Sequence, residues 1–238
     1  MENLVRSEML LGREAMERLA ASHVAVFGIG GVGGFAAEAL ARGGVGELTL
    51  VDHDTVSESN LNRQLVALRS TLGRRKVEVM AERIADIRPE TVVHALPLFW
   101  TVERAADMDF ADFDYVVDAI DTVTSKIALI AVAQEAGTPI ISAMGAGNKL
   151  DPARFQVGDL FQTAGCPLAR VMRRELRARG IDALQVVWSP EQPVKPTTCE
   201  EEYDDGPARR AVPGSVSFVP PVAGMLAAGA VIRALAGM

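Results

Sequence analysis

The segment from Gly28 to Gly33, with the sequence GIGGVG, has a glycine spacing that suits phosphate recognition. It stands between an apolar β-branched run and a segment of helical period, the context that gives this spacing weight. Gly28 allows a tight turn, Gly30 and Gly31 leave the backbone open to a phosphate, and Gly33 permits close packing of helix on strand. Asp52 ends the next apolar run and could accept hydrogen bonds from ribose hydroxyls. The sequence therefore predicts a bound adenine nucleotide, without saying which one.

More polar residues follow Asp52 than a ribose requires. Asn60, Arg63 and Lys76 offer donors and positive charge that could clamp a triphosphate. Asp121 ends another apolar run and would bring a carboxylate, suitable for magnesium, to the same edge of a parallel sheet. Each residue alone could instead form a turn or be solvated. Together, behind the glycines, they favour an ATP site in which Arg63, Lys76 and Asp121 do the catalytic work.

Other residues of the same stretch have alternative roles. Asp54 is included among the nucleotide contacts, although it could instead cap the following turn. Asn62 and Gln64 have no assigned ligand and could order the turn. His53 is expected to face away from the ribose.

The elements that must position these residues follow an alternating pattern from Ser22 onward. Short apolar runs alternate with segments of helical period, which is typical of βαβ units. The sequence predicts an α/β fold with a Rossmann-like, doubly wound, mostly parallel sheet and the nucleotide at the carboxyl ends of the strands. The predicted strands are HVAVFGIG, GELTLVD, TVVHALPL, DYVVDAID and PIISAMG, and the predicted helices include GFAAEALARG, RRKVEVMAERIADIRPE and SKIALIAVAQEAG.

The second half of the chain is less regular. CPLARVMRRELRARG predicts a helix with Gly180 as its C-cap, just as Gly43 closes the helix after the glycines. Residues 196–215 are rich in charge, proline and glycine and predict a loop. A final apolar helix is predicted to begin after Pro221 and to be buried or in an interface.

Composition excludes several classes of protein. Two cysteines, Cys166 and Cys199, cannot supply a disulfide framework or two C-x-x-C zinc pairs, which favours a reducing cytoplasm. The charged N-terminus is unlike a secretory signal. The apolar tail is about fifteen residues long, short of the roughly twenty of a membrane span. The net charge of −7 confines any nucleic-acid contact to a local patch.

GIGGVG, LVDHDTVSESNLNRQ, Lys76 and DAIDTVTSK together resemble the ThiF/MoeB/HesA family, relatives of the ubiquitin-activating enzymes that adenylate carboxylates. The resemblance covers most of the chain. It implies a single adenylating domain over residues 1–238, with an N-terminal helical arm at 1–21, a nucleotide-binding core at 22–160 and a substrate-binding and dimer-interface region at 161–238.

The resemblance also implies roles for individual residues. Asp52 would bind ribose, Asn60, Arg63 and Lys76 the phosphates, and Asp121 the magnesium. Arg6 matches an arginine that family members donate to the triphosphate of a neighbouring subunit, which implies a homodimer. Family members often carry a second arginine three residues earlier, where this chain has Asn3.

Within the family, two branches compete for this chain. Activators of sulfur-carrier proteins usually hold zinc on two C-x-x-C pairs, and this chain has none. The chain is more similar to the branch that uses ATP to dehydrate threonylcarbamoyladenosine in tRNA. A sulfur-transfer protein stays open as a further partner. A nucleotide-binding redox protein that uses NAD is the alternative from outside the family.

A row of arginines bears on the tRNA. Arg170, Arg173, Arg174 and Arg177 fall at helical spacing on one face, opposite an apolar stripe, and could follow RNA phosphates. The pattern alone fits a solvated face equally well, and the resemblance favours RNA. Cys166 is expected to be packed, and Cys199 to be an incidental loop thiol.

Overall fold

The computed structural model describes residues 4–197 and 213–238 of the chain. Cys199 and Asn3, and most of the predicted loop at 196–215, therefore lie outside the described residues. Helices α1 (Val5–Leu11) and α2 (Arg13–Ala21) precede the first strand. The next elements are β1 (His23–Phe27), α3 (Gly33–Gly43), β2 (Glu47–Val51), α4 (Lys76–Ile87), β3 (Val92–Leu96), β4 (Tyr115–Asp118), α5 (Val123–Glu135) and β5 (Ile140–Ala143). The last are β6 (Gln156–Asp159), α6 (Pro167–Arg177), β7 (Gln185–Trp188) and α7 (Val219–Ala236).

The seven strands form one sheet in the order β3-β2-β1-β4-β5-β7-β6. All neighbours are parallel except β6 and β7 at one edge, which are antiparallel. The chain therefore changes direction across the sheet between β1 and β4, where a doubly wound fold opens a crevice for ligands. The predicted Rossmann-like α/β fold is confirmed.

Alternate side chains of the strands bury two separate apolar layers. Val24 and Val26 of β1 pack on one side with helices α2, α3, α4 and α7. Ala25 and Phe27 pack on the other side with α5 and α6. Both faces of the central strands are thus covered, as their continuous apolar sequences require.

Helix α7 packs against α3 with almost no space between their backbones. A Cβ on Gly224 would stand 2.2 Å from the carbonyl oxygen of Val32, just before α3, so no side chain fits there. Pro220, in the first turn of α7, reaches the glycine loop, where a Cβ on Gly31 would stand 3.1 Å from it. The end of the chain therefore supports the loop between β1 and α3.

Helix α7 is apolar enough, with a mean hydropathy of 1.6 over 18 residues, for its length and composition to fit a membrane span. Half of that stretch is buried inside the protein. It begins at Val219, so the prediction of a start after Pro221, at Val222, was wrong by three residues. Proline fits the first helical turn because its missing N–H needs no partner there.

Two other predicted helix ends had different outcomes. Helix α3 ends at Gly43 as predicted, and the next glycine, Gly44, takes the left-handed conformation at φ 101°. Helix α6 is capped at Ala178 rather than at Gly180, which takes its positive φ of 75° two residues later. For α6 the glycine marked the end of the helix but not the capping residue, since helix ends are set by local hydrogen bonds.

Candidate active site

A crevice of about 370 Å³ lies at the carboxyl ends of β1, β2 and β4. It brings together most of the residues predicted for nucleotide binding. Its lining includes Gly28, Gly30, Gly31, Asp52, Asp54, Asn60, Arg63, Lys76 and Asp121. Gly33 lies beneath it, at the start of α3.

The glycines of the loop have distinct structural roles. Gly28 has φ 89°, and a Cβ there would stand 2.6 Å from the carbonyl oxygen of Ala119. A Cβ on Gly33 would stand 1.8 Å from the carbonyl oxygen of Gly28. Both positions therefore exclude a side chain. A Cβ on Gly30 would meet nothing closer than 3.8 Å, so Gly30 leaves its backbone open toward the crevice.

Asp52 holds the loop in place from the end of β2. Its Oδ2 accepts a hydrogen bond from the backbone N–H of Ile29 at 2.6 Å, and its Oδ1 accepts one from Asp54 at 2.8 Å. A carboxylate has about four acceptor positions, so this one can still accept from the hydroxyls of a ribose. The predicted role for Asp52 is compatible with this geometry.

Lys76 and Asp54 form an ion pair at the edge of the crevice. The Nζ of Lys76 lies 2.6 Å from Oδ2 of Asp54, and Lys76 is only 4% exposed. Asp54 is therefore more than a turn cap, since it holds the lysine that was predicted to bind phosphate. His53 lines the same crevice, 3.2 Å from Asp54 and edge-on to the ring of Phe99. The expectation that His53 faces away from the ribose stays a prediction.

Arg63 is held in place by the turn that contains it. Its Nη1 donates to the carbonyl oxygen of Ser59 at 2.9 Å and to Oδ1 of Asn62 at 2.8 Å. Asn62 in turn donates to the carbonyl oxygen of Ser215 at 3.0 Å. Burial lowers the pKa of Arg63 from an ordinary value so high that the side chain stays charged near neutrality. Arg63 thus presents an oriented positive charge to the crevice.

Asn60 and Gln64 line the crevice on either side of Arg63. The Oδ1 of Asn60 accepts a hydrogen bond from the backbone of Ser57 at 3.2 Å, which leaves its amide N–H groups to donate. Gln64 is 9% exposed, and its buried Oε1 has no hydrogen-bond partner among the described residues. The backbone N–H of Gln64 donates to the carbonyl oxygen of Asn60 at 2.9 Å, and the expectation that Gln64 orders the turn stays a prediction.

Asp121 lines the same crevice and is exposed. Its carboxylate has the hard oxygen donors that magnesium prefers, and a triphosphate would supply further oxygens. The residue fits the predicted metal role, with Asp52 and Asp54 as the other carboxylates of the crevice.

A buried ion pair behind Asp121 was missed from the sequence. Asp118 and Lys126 are fully buried, and their carboxylate and ammonium groups lie 2.9 Å apart. Asp118 also accepts from the hydroxyl of Ser142 and from the backbone of Ile120, while Lys126 donates to the carbonyl oxygen of Ile120. The pair fixes the turn between β4 and α5 that carries Asp121. The available signal was an apolar strand that ends in Asp118, followed by Lys126 in the first turn of the next helix.

Arg6 does not reach the crevice of its own chain. It lies exposed on α1 and is absent from the described residues that line the site. Its neighbours Val5, Met9 and Leu10 are exposed apolar residues, the last two at 78% and 83%.

The arginines of α6 do not all share one solvated face. Arg170, Arg174 and Arg177 are exposed. Arg173 is half-buried and donates to the carbonyl oxygen of Thr163 at 3.0 Å. Arg174 pairs with Glu175 at 2.8 Å, and the guanidinium of Arg177 lies over the ring of Phe161, 5.0 Å from its centre. Cys166, at the N-cap of this helix, is buried as predicted.

Comparison with known proteins places this arrangement in a family. Residues 4–238 match the ThiF family. A tRNA threonylcarbamoyladenosine dehydratase of Bacillus subtilis is 47% identical over 236 residues, which cover 97% of this chain and 93% of the relative. A tRNA threonylcarbamoyladenosine dehydratase of Escherichia coli is 46% identical over 169 residues, 71% of this chain and 63% of the relative.

The solved structures agree with the sequence relatives. The E. coli tRNA N6-threonylcarbamoyladenosine dehydratase TcdA, crystallised in complex with ATP, superposes with a TM-score of 0.88 at 36% identity. The match covers 99% of this chain and 94% of that one. A structure of the same enzyme with AMP matches with a TM-score of 0.89. The crevice combines the glycine loop, the carboxylate after β2 and the nearby cations. The chain that forms it belongs to the ThiF family.

Proposed function

We propose that this protein uses ATP to dehydrate threonylcarbamoyladenosine in tRNA to a cyclic form. The observation that carries the proposal is the convergence of Asp52, Arg63 and Lys76 on one crevice. A redox enzyme that uses NAD needs the carboxylate but not the two cations. The names of the relatives at 47% and 46% identity support the tRNA substrate, and the ATP and AMP complexes of the E. coli enzyme support the nucleotide. These relatives do not favour the alternative, activation of a sulfur-carrier protein.

The residues of the crevice divide the work of holding ATP. Asp52 accepts from the ribose, while the open backbone of the glycine loop approaches a phosphate. Asn60 and Arg63 donate to phosphate oxygens. Lys76 has three N–H donors, of which Asp54 takes one, so the others can meet the phosphates while the ion pair keeps the chain extended.

The reaction divides into two displacements. An oxygen of the substrate carboxylate attacks the α-phosphorus, the bond to the β-phosphate oxygen breaks, and pyrophosphate leaves. The carbamoyl group of the same nucleoside then attacks the activated carbonyl carbon, loses a proton and expels AMP. The net change is the loss of one water from the nucleoside. An intramolecular attack has a high effective molarity, so orientation and charge stabilisation suffice and no protein nucleophile is needed.

Magnesium is part of the proposal, with Asp121 as the residue that would hold it. The ion would neutralise charge on the triphosphate and on the departing pyrophosphate. The exposed carboxylate at the crevice supports this role. The buried pair of Asp118 and Lys126 would keep that carboxylate in position.

The proposal includes a homodimer whose sites are shared. The exposed apolar residues of α1 support a covering second copy, and Arg6 stands among them. Arg6 would enter the crevice of the partner and neutralise its triphosphate. The tRNA would lie along the exposed arginines of α6. A sulfur-transfer protein is the further partner that we propose to test, and the cytoplasm is the proposed compartment.

The direct test is incubation of the purified protein with ATP, magnesium and tRNA that carries threonylcarbamoyladenosine. The tRNA is then digested under mild conditions and its nucleosides are weighed. We expect ATP-dependent loss of one water from that nucleoside, with AMP and pyrophosphate formed in equal amounts. An unchanged nucleoside, with ATP–pyrophosphate exchange only when a glycine-tailed carrier protein is added, would overturn the proposal in favour of carrier activation.

A further inference from the structure

Two histidines and a glutamate meet at the end of the sheet opposite the nucleotide crevice. His23 begins β1, Glu47 begins β2 and His94 lies in β3. His23 pairs in register with Glu47, and His94 with Thr49, so the three side chains share one face of the sheet. With a rise of about 3.3 Å per residue, the cluster lies roughly 16 Å from Gly28. It is therefore separate from the ATP site.

The ligand atoms of these side chains converge. The Nε2 of His94 lies 2.7 Å from Oε1 of Glu47, and Nδ1 of His23 lies 3.7 Å from the same oxygen. One ligand atom from each of the three residues falls within 4.8 Å of the others. We propose that His23, Glu47 and His94 bind a divalent zinc-class ion that joins three neighbouring strands.

Thr49 orients one of the ligands. The Nε2 of His23 lies 2.8 Å from Oγ1 of Thr49, which is 4% exposed. When Nε2–H donates to this hydroxyl, the lone pair of Nδ1 points toward Glu47, the direction in which the ion would lie. Zinc-binding histidines usually have their second nitrogen held in this way. The 3.7 Å between Nδ1 and Glu47 is too long for a hydrogen bond but suits two ligands of one ion.

The surroundings also favour a bound cation. Asp114 accepts from the backbone N–H of His23 at 2.7 Å, and the negative charges of Asp112 and Asp114 act on its ring together with that of Glu47. Imidazole and carboxylate together suit zinc.

Little rearrangement is needed to admit the ion. Ligand atoms at about 2.0–2.1 Å from a tetrahedral metal stand roughly 3.4 Å apart. His23 and Glu47 are near this separation, while His94 and Glu47 must part by several tenths of an ångström. Both of those side chains are more than a third exposed, so rotation about their side-chain bonds can supply the change. The fourth position faces solvent and would take a water.

A second group of potential ligands among residues 4–197 and 213–238 does not form a comparable site. Asp52, His53 and Asp54 also lie close together. The oxygens of Asp52 accept from the backbone, and Asp54 is paired with Lys76. That group belongs to the nucleotide crevice, and it supplies a control.

The test is a titration of nucleotide-free protein with Zn²⁺ in competition with a chromogenic chelator. Binding of Co²⁺ is followed separately by its visible absorption. We expect one tight equivalent in the micromolar range, weakened at least about tenfold by His94→Ala and by Glu47→Gln. His53→Ala, which removes a histidine from the crevice, should leave it intact. Failure to compete with the chelator, or loss in His53→Ala with retention in His94→Ala, would overturn the proposal. No ATP or tRNA is present, so the result is independent of the dehydratase reaction.

Discussion

Lys76 shows how a single buried cation can be kept ready for an anionic substrate. It is 4% exposed, and its charge is balanced in the free protein by Asp54. A lysine in that position would otherwise carry the full cost of desolvation. The pair therefore makes a positive group available at the crevice without leaving an uncompensated charge in the fold.

Replacement of Lys76 by methionine should reduce catalysis much more than folding. Methionine keeps most of the side-chain volume but cannot donate to the phosphates, so we expect turnover to fall by about 10²–10³. The measurement is the initial rate of nucleoside dehydration at saturating tRNA. Arg75→Met, which changes the exposed neighbour, is the matched control and should retain nearly full activity. Similar losses in both variants would argue against a specific phosphate contact for Lys76.

Lys126 is expected to show the opposite pattern, because its charge supports the fold. Lys126→Met would leave Asp118 fully buried without its cation, which should lower the free energy of unfolding by about 3–5 kcal/mol. Urea denaturation measures the change. Asp121→Asn alters an exposed carboxylate in the same turn, so its stability should stay within about 0.5 kcal/mol of the parent while dehydration is lost. A destabilised Asp121→Asn protein would show that Asp121, like Asp118, contributes to the stability of the fold.

At the scale of elements, α6 carries its arginines in two different environments. Arg173 turns back to the carbonyl oxygen of Thr163, whereas Arg170 and Arg174 stay at the surface. Only the exposed arginines are free to meet RNA phosphates without disturbing the packing of the helix.

Removal of Arg170 and Arg174 together should weaken tRNA binding without affecting ATP. Loss of about two phosphate contacts should lower the slope of log affinity against log salt by about two, and the affinity roughly tenfold at moderate salt. Filter binding over a salt series measures both. The double variant Arg13→Ala/Arg42→Ala removes two exposed arginines from other helices and serves as the control. An unchanged slope would assign the tRNA to another surface.

The elements differ in how far the sequence could predict them. The glycine loop and Asp52 could be predicted because phosphate and ribose recognition depend on neighbouring residues in a strand–turn–helix unit. Strands β6 and β7 were missed because they pair antiparallel at the edge of the sheet, outside the βαβ alternation that predicted β4 and β5, and β6 has the weakly apolar sequence QVGD. Lys76 contacts Asp54, and Asn62 contacts Ser215. These contacts join residues far apart in the sequence, so the local periodicity of the sequence could not predict them.

At the scale of the whole molecule, the described chain has a nucleotide crevice but keeps Arg6 away from it. In the proposed homodimer each crevice is completed by the partner. Each crevice would then combine Lys76 of one chain with Arg6 of the other. Substitutions of these two residues can therefore be placed in different chains of one dimer.

Mixing Arg6→Ala protein with Lys76→Met protein should therefore restore activity. Each mixed dimer would contain one crevice with its own Lys76 and an Arg6 from the partner. With random reassociation of a two-fold dimer, half of the dimers are mixed and about a quarter of all crevices are intact. Dehydration after co-refolding should reach about that fraction of the parent rate, against near zero for either variant alone. Absence of recovery, with dimers present by light scattering, would mean that Arg6 acts elsewhere.

The close contact of Gly224 with Val32 has a consequence for how the chain folds during its synthesis. The glycine loop leaves the ribosome early, yet the backbone it rests against belongs to a helix that is made much later. Contacts of such large sequence separation form slowly, since a long stretch of chain must first be ordered. We therefore expect a nascent chain that contains the glycine loop but lacks α7 to bind ATP more weakly than the complete fold. Bound nucleotide would in turn stabilise the fold in which α7 is docked. Cellular ATP would therefore favour completion of folding as well as serve as the substrate.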